Sequence, residues 1–195
     1  MNASNEWNSW IKAGVDLFMQ TMKTSGARHN LQEIYSGKLN VPSVSKVSIS
    51  SENADIQISF SSTSPRYTVL ASKSIDSGVV TVRANAAMDT YTLTVKERSA
   101  KDASHVNVKV CFQLPNQFKS VNVTSKNGDI TVKNCKSPKT GVSTISGDIA
   151  VSNHITSCTV KAKSKNGDVS KSSRYHKSFS NELVCKSENG DISIE

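Results

Sequence analysis

From Val44 to the C-terminus, apolar and polar residues alternate, interrupted by short polar turns. Alternation places every second side chain on one face, the pattern of a half-buried strand. It predicts strands over residues 47–51, 55–60, 67–72, 79–83, 91–96 and 106–114, with turn signals at 63–65, 76–78 and 100–102. Val106, Val108, Val110 and Phe112 form the cleanest run, and Cys111 falls out of phase with them, so it should face the other way. Only residues 5–23 follow a helical period. There Trp7, Trp10, Ile11, Phe18 and Met22 lie along one stripe broadened by Leu17, with Ser4 or Asn5 as cap and Ser25-Gly26 as stop. Residues 26–43 read as a linker holding a short helical turn at 31–35, with Pro42 near its end.

Beyond Pro115 the alternation becomes a repeat. Ser125-Lys126-Asn127-Gly128-Asp129-Ile130 returns with its glycine at Gly147, Gly167 and Gly190, spaced 19, 20 and 23 residues apart, and a fainter copy has Ala54 at that position. A period near twenty signals stacked structural units. Glycine at such a turn is expected to supply a positive φ, and the Asp after it to accept hydrogen bonds within its own turn. Each turn is flanked by inward positions: Val121 and Val123 before, Ile130 and Val132 after, then Val142 before and Ile149 and Val151 after. Asn-Gly between alternating strands also suits an antiparallel meander. A parallel β-solenoid is preferred, because the same flanks recur at a fixed period and leave no room for a crossover helix. Successive coils are expected to lie over one another in chain order. The less regular strands of 44–114 suggest a sheet or sandwich leading into them.

Repeated Asn-Gly-Asp-Ile-Thr-Val segments after a strand ending Gln113-Leu114-Pro115 resemble the bacterial putative-adhesin family, over residues 44–195. The resemblance implies an all-β fold with a β-helix built from such turns, a bacterial source and a tie to the cell envelope. It carries over no catalytic residue. The expected architecture is therefore all-β: a single-stranded parallel β-helix in the C-terminal half, preceded by irregular strands and one N-terminal amphipathic helix. Its parts are a helix at 1–25, a linker at 26–43 and a β domain at 44–195, with repeats clearest over 118–195.

Composition sharpens this picture little. Aromatics are 6% of the 195 residues, which suits a narrow core of small β-branched side chains. A formal charge of +8 favours an anionic surface or polymer, although scattered lysines also serve to block edge-to-edge association. Cys111, Cys135, Cys158 and Cys185 show no metal-ligand spacing, and four unpaired thiols fit a reducing compartment. A Cys135–Cys158 bridge across neighbouring coils is the less favoured arrangement. There is neither a signal-peptide pattern nor a run of 18 apolar residues, so a cytoplasmic protein, or one peripheral to the membrane, is expected.

Candidate chemistry is sparse. His29, His105, His154 and His176 lie in unrelated contexts, and Asp55, Asp76, Asp89 and Glu97 show no paired-carboxylate pattern. Asp129, Asp148, Asp168 and Asp191 would form a column if coils stack. A cation could bridge them, but turn hydrogen bonds with offsetting Lys126 and Lys165 are preferred, and no metal or cofactor is expected. Gly128, Gly147, Gly167 and Gly190 with these aspartates are thus structural turns. Trp7, Trp10, Ile11, Phe18 and Met22 are the candidate partner-binding residues, acting as a cap for the solenoid, a docking helix for a protein partner or self-association, or a lipid anchor. Basic charge without exposed aromatics argues against nucleic acid. The expectation is a non-enzymatic binding or scaffold protein. The alternatives are a peripheral membrane or envelope-stress accessory and, last, a polysaccharide-active enzyme.

Overall fold

The computed structural model describes residues 31–61, 63–72, 79–97, 107–155, 157–173 and 180–195. The predicted helix at 5–23 and its apolar stripe lie outside them. The described residues belong to one compact unit, 31–195. Its strands, in chain order, are β1 (Gln32–Lys38), β2 (Lys46–Ser50), β3 (Asp55–Phe60), β4 (Arg66–Ala71), β5 (Val80–Ala87), β6 (Thr90–Glu97), β7 (Val108–Leu114) and β8 (Ser120–Thr124). They continue with β9 (Ile130–Lys133), β10 (Lys139–Thr144), β11 (Ile149–Ser152), β12 (Cys158–Ser164), β13 (Val169–Lys171), β14 (Asn181–Ser187) and β15 (Ile192–Ile194). No described residue is helical. The helical turn expected at 31–35 is instead the start of β1, which pairs antiparallel with β4.

Two sheets share the strands, in the orders β1-β4-β7-β3-β9-β11-β15-β13 and β12-β14-β10-β8-β2-β6-β5. Each coil contributes one strand to each sheet: β2–β3, β6–β7, β8–β9, β10–β11, β12–β13 and β14–β15. Neighbouring coils pair in parallel throughout. The meander is thereby excluded, and two expectations are corrected. Strands of the first half, β2–β3 and β6–β7, are themselves coils rather than a separate sandwich. Nor do coils follow chain order: the stack runs β6–β7, β2–β3, β8–β9, β10–β11, β14–β15, β12–β13. At one end antiparallel β4 and β1 cover the edge strand β7, and β5 covers β6. At the other, β12 and β13 are edge strands.

The core consists of aligned columns. Ile56, Ile130, Ile149, Ile192 and Val169 share one register position of the first sheet, and Ile58, Val132, Val151, Ile194 and Lys171 share the next. Opposite them lie Ile49, Val123, Val142, Cys185 and Ala162. All but the residues of β12 and β13 are fully buried. Those two strands explain the exchange of coils. A lysine cannot lose its hydration in a core column without a partner, so the coil carrying Lys171 takes the end of the stack. The more apolar coil, with Leu183, Cys185, Ile192 and Ile194, is enclosed.

Candidate functional site

The repeated corner brings the predicted turn residues together as continuous ladders, in the spatial order Ala54, Gly128, Gly147, Gly190, Gly167. The amide of Asp129 donates to Asp55 Oδ1 at 2.9 Å. At 2.8 Å the amide of Asp148 donates to Asp129, that of Asp191 to Asp148, and that of Asp168 to Asp191. Each carboxylate therefore satisfies the neighbouring coil, not its own turn as expected. Asparagines form a parallel file: Asn127 Nδ2 donates to Asn53 Oδ1 at 2.8 Å and Asn166 Nδ2 to Asn189 Oδ1 at 2.7 Å. Thr144, Ser187 and Ser164 donate hydroxyl protons to the carbonyls of Gly128, Gly147 and Gly190.

Glycine is needed at these corners for proximity. None of the described glycines has a positive φ, contrary to expectation. A Cβ on Gly128 would lie 2.3 Å from the Ala54 carbonyl oxygen, one on Gly147 2.5 Å from that of Gly128, and one on Gly190 2.0 Å from that of Gly147. Coils approach so closely here that any side chain would meet backbone. Ala54 takes this position on the β2–β3 coil, which is followed in the stack by the β6–β7 coil, whose sequence lacks the motif. The left-handed positions sit at the opposite corner, at Asn134 (φ 57°) and Asn153 (φ 51°). Both follow the second strand of a coil at the same offset, a signal in the sequence that was passed over.

Other candidate residues fall into separate settings. Lys126 does not neutralise the aspartate file but lies 3.4 Å from Glu52, both exposed. Burial raises the pKa of Asp55, against the lowering effect of the Asp129 amide. His154 is buried: Thr140 Oγ1 lies 3.0 Å from its Nε2 and the Ile155 carbonyl 3.2 Å from its Nδ1. Cys158 Sγ is 3.7 Å from that Nδ1, and Cys135 Sγ 3.5 Å from Thr140 Oγ1. All four cysteines are free and buried, Cys111 included, though it faces away from Val110 and Phe112. Among the described residues no group of three or more His, Cys, Asp or Glu is placed to hold a metal. No described helix is long and apolar enough to cross a membrane.

What remains available to a partner is the outward face of each sheet. In the second sheet this face carries two rows in register, one with Thr92, Ser48, Asn122 and Lys161 and the next with Ser143, Lys186 and Lys163. An open groove of about 420 Å³ crosses four coils there, lined by Lys163, Lys165, Lys186, Ser143, Ile145 and Glu188 among others. Sequence reading passed it over, although Lys163 and Lys186 lie on adjacent coils in either order; the exchange decides only that Lys186, and not Lys163, stands beside Ser143.

Stacked coils, two parallel sheets and a continuous corner ladder define a two-sheet parallel β-solenoid. Residues 39–195 match the model of the Toastrack DUF4097 family, and the chain belongs to that family. A search of curated proteins finds no match. Among solved structures, a putative cell adhesion protein from Clostridium sporogenes superposes with a TM-score of 0.59 at 11% identity, over 85% of this chain and 99% of that one. A putative adhesin from Bacteroides fragilis aligns over 87% of this chain and 100% of its own, with TM-score 0.41 and 11% identity. A putative lipid binding protein from Parabacteroides distasonis aligns over 82% and 62%, with TM-score 0.39 and 11% identity. At such identity the likeness to the first is one of fold.

Proposed function

We propose that the protein is a non-catalytic, adhesin-like binding protein whose contact surface is the outward face of its coils. One observation carries this reading: the repeated polar side chains are consumed by ladders between coils, so their role is to fix the stack. Fixing the stack places Ser, Thr, Asn and Lys on a flat lattice with coils about 4.8 Å apart. Such a lattice suits an extended ligand that crosses several coils, or a protein partner. The naming of the Clostridium sporogenes protein agrees with this reading but lends it little weight. The test is retention of the full chain on an array of immobilised neutral and acidic polymers, with Ser48→Glu/Thr92→Glu as the face-disrupting variant. Retention by the native chain and loss in the variant supports the reading; turnover of a polymer in the panel would sink it.

A second reading rests on the pattern of residues 5–23, where Trp7, Trp10, Ile11, Phe18 and Met22 make an amphipathic stripe. It makes the protein a peripheral membrane or envelope accessory, or recruits a protein partner through that segment. Flotation of the full chain with anionic vesicles, and its loss in Trp7→Ser/Trp10→Ser, distinguishes lipid anchoring from recognition by the sheets.

A further inference from the structure

On the outward face of the second sheet, register sets Thr124, Ser143, Lys186 and Lys163 side by side on β8, β10, β14 and β12. Lys186 and Lys163 are thus direct neighbours on adjacent parallel strands. Like charges in that position repel and weaken a sheet. Neither has a carboxylate within ion-pair distance among the described residues, whereas Lys161, two residues along β12, has Glu182 at 2.6 Å. Lys165 lines the same groove from the corner, where Glu188 offsets part of the charge. Three cations converge on a concave surface, two of them at a cost that a bound anion would remove.

The rest of the groove narrows the class of anion. Hydroxyls of Ser143 and Thr124 continue the lysine row across two more coils. Ile145, 43% exposed, offers one small apolar surface beside them. The exposed large hydrophobics among the described residues are Met88, Ile145 and Val169, so no aromatic platform exists there for stacking bases. One isoleucine is too little apolar area to enter a lipid layer. A chain of sugars presents what the row can use: hydroxyls for Ser143 and Thr124, a C–H face for Ile145, and a carboxylate for the lysines.

We infer that this groove binds an acidic polysaccharide, with Lys163 and Lys186 sharing a carboxylate of the sugar chain. The inference rests on the outward faces being the contact surface and names the ligand of one of them. Its test is titration calorimetry of the full chain at low salt with sodium polygalacturonate. Fully methyl-esterified polygalacturonate and inorganic phosphate serve as the other ligands. Polygalacturonate is expected to bind and its ester not. Lys163→Gln/Lys186→Gln should weaken binding by about tenfold or more, the loss expected for charge-assisted contacts. Lys163→Arg/Lys186→Arg should keep it, and Lys133→Gln on the other sheet should leave it within about twofold. Relief of the repulsion should also raise the melting temperature of the double glutamine variant. Unchanged binding by that variant overturns this site while leaving the wider reading of the faces intact. Failure of polygalacturonate to bind, or equal binding of the ester, overturns the ligand. Displacement of polygalacturonate by low-millimolar phosphate would show an oxyanion pocket with no preference for the polymer, and would overturn it too.

Discussion

The backbone amide of Asp191 donates to the carboxylate of Asp148 at 2.8 Å across 43 residues of chain. Asp168 lies between them in sequence yet stands outside both, giving its own amide to Asp191. Burial sets this order. Enclosing Leu183, Ile192 and Ile194 in place of Val160, Val169 and Lys171 removes more apolar surface from water, with each large side chain contributing about 1.5–3 kcal/mol when fully buried. The corner ladder accepts either coil at either level, because both carry the same Asn-Gly-Asp.

Gly190→Ala should be severely destabilising. The added Cβ would meet the Gly147 carbonyl oxygen at 2.0 Å, its carbon at 2.5 Å and Asp148 Oδ1 at 2.8 Å, and a backbone carbonyl held in the stack cannot yield. We expect a loss of about 1–3 kcal/mol or more in denaturant melts. Ala54→Gly, at the equivalent corner, should cost no more than about 0.5–1 kcal/mol. Equal midpoints for the two variants would refute the close-approach account.

Asp55, half-buried, accepts the Asp129 amide in the ladder, and burial keeps its carboxyl above the ordinary 3.8. Its contribution to stability is fully present below that value and is lost as pH rises through the folded-state pKa. Asp55→Asn keeps an oxygen for the Asp129 amide and removes the buried charge, so at neutral pH it should match or exceed the native melting temperature. Asp55→Ala leaves the amide without its acceptor and should cost about 0.5–1.5 kcal/mol. A melting temperature for Asp55→Asn below that of Asp55→Ala would contradict this assignment.

The coils were legible because their side chains obey two periods together, alternation within a strand and recurrence near twenty residues. Ile130, Ile149 and Ile192 align from the sequence itself. The exchange of the last two coils was less visible, although Lys171 in a column of isoleucine and valine marks its coil as terminal. Strand β1 was hidden because Gln32–Lys38 is mostly polar and its edge position demands little burial. The reason for glycine was misassigned because positive φ and close approach favour the same residue. The pairing of Lys163 with Lys186 was open to alignment of the last two repeats, since their coils are adjacent in either order, whereas the Ser143 neighbour depends on the exchange.

Met88 is a strained residue at the tip of the β5–β6 hairpin. It is the first of two loop residues, has φ 52° and is fully exposed. A two-residue turn with a positive φ at that position prefers glycine. Left-handed backbone costs a side-chain-bearing residue about 1–2 kcal/mol, against the smaller entropic cost of glycine. Met88→Gly should therefore raise the denaturant midpoint, and a lower midpoint would show that the methionine makes a contact worth more than its strain.

The four cysteines should be inert in the native protein. Burial pushes the thiols of Cys111 and Cys185 up to about 12 and raises those of Cys135 and Cys158. Thiolate, the reactive form, is thus scarce at pH 8. A disulfide reagent should titrate almost nothing over minutes in buffer and four thiols in denaturant. Rapid reaction of one equivalent in buffer would place that cysteine outside the core.

His154 should make the fold sensitive to mild acid. Its Nδ1–H donates to the Ile155 carbonyl, so Nε2 accepts from the Thr140 hydroxyl, which is free in turn to accept from the Cys135 thiol. Protonating Nε2 turns an acceptor into a donor and forces that hydroxyl to reverse. Burial adds the larger effect and holds the imidazole below its ordinary 6.5, with the Ile155 contact opposing it. A histidine with a depressed folded pKa binds protons more readily when unfolded. Stability is therefore full above pH 6.5 and falls as the pH drops through the folded-state value. Denaturant melts between pH 7 and pH 5 should show the native protein losing stability faster than His154→Gln, which can keep both hydrogen bonds without titrating. Parallel curves would mean that His154 charges without penalty and is not enclosed as described.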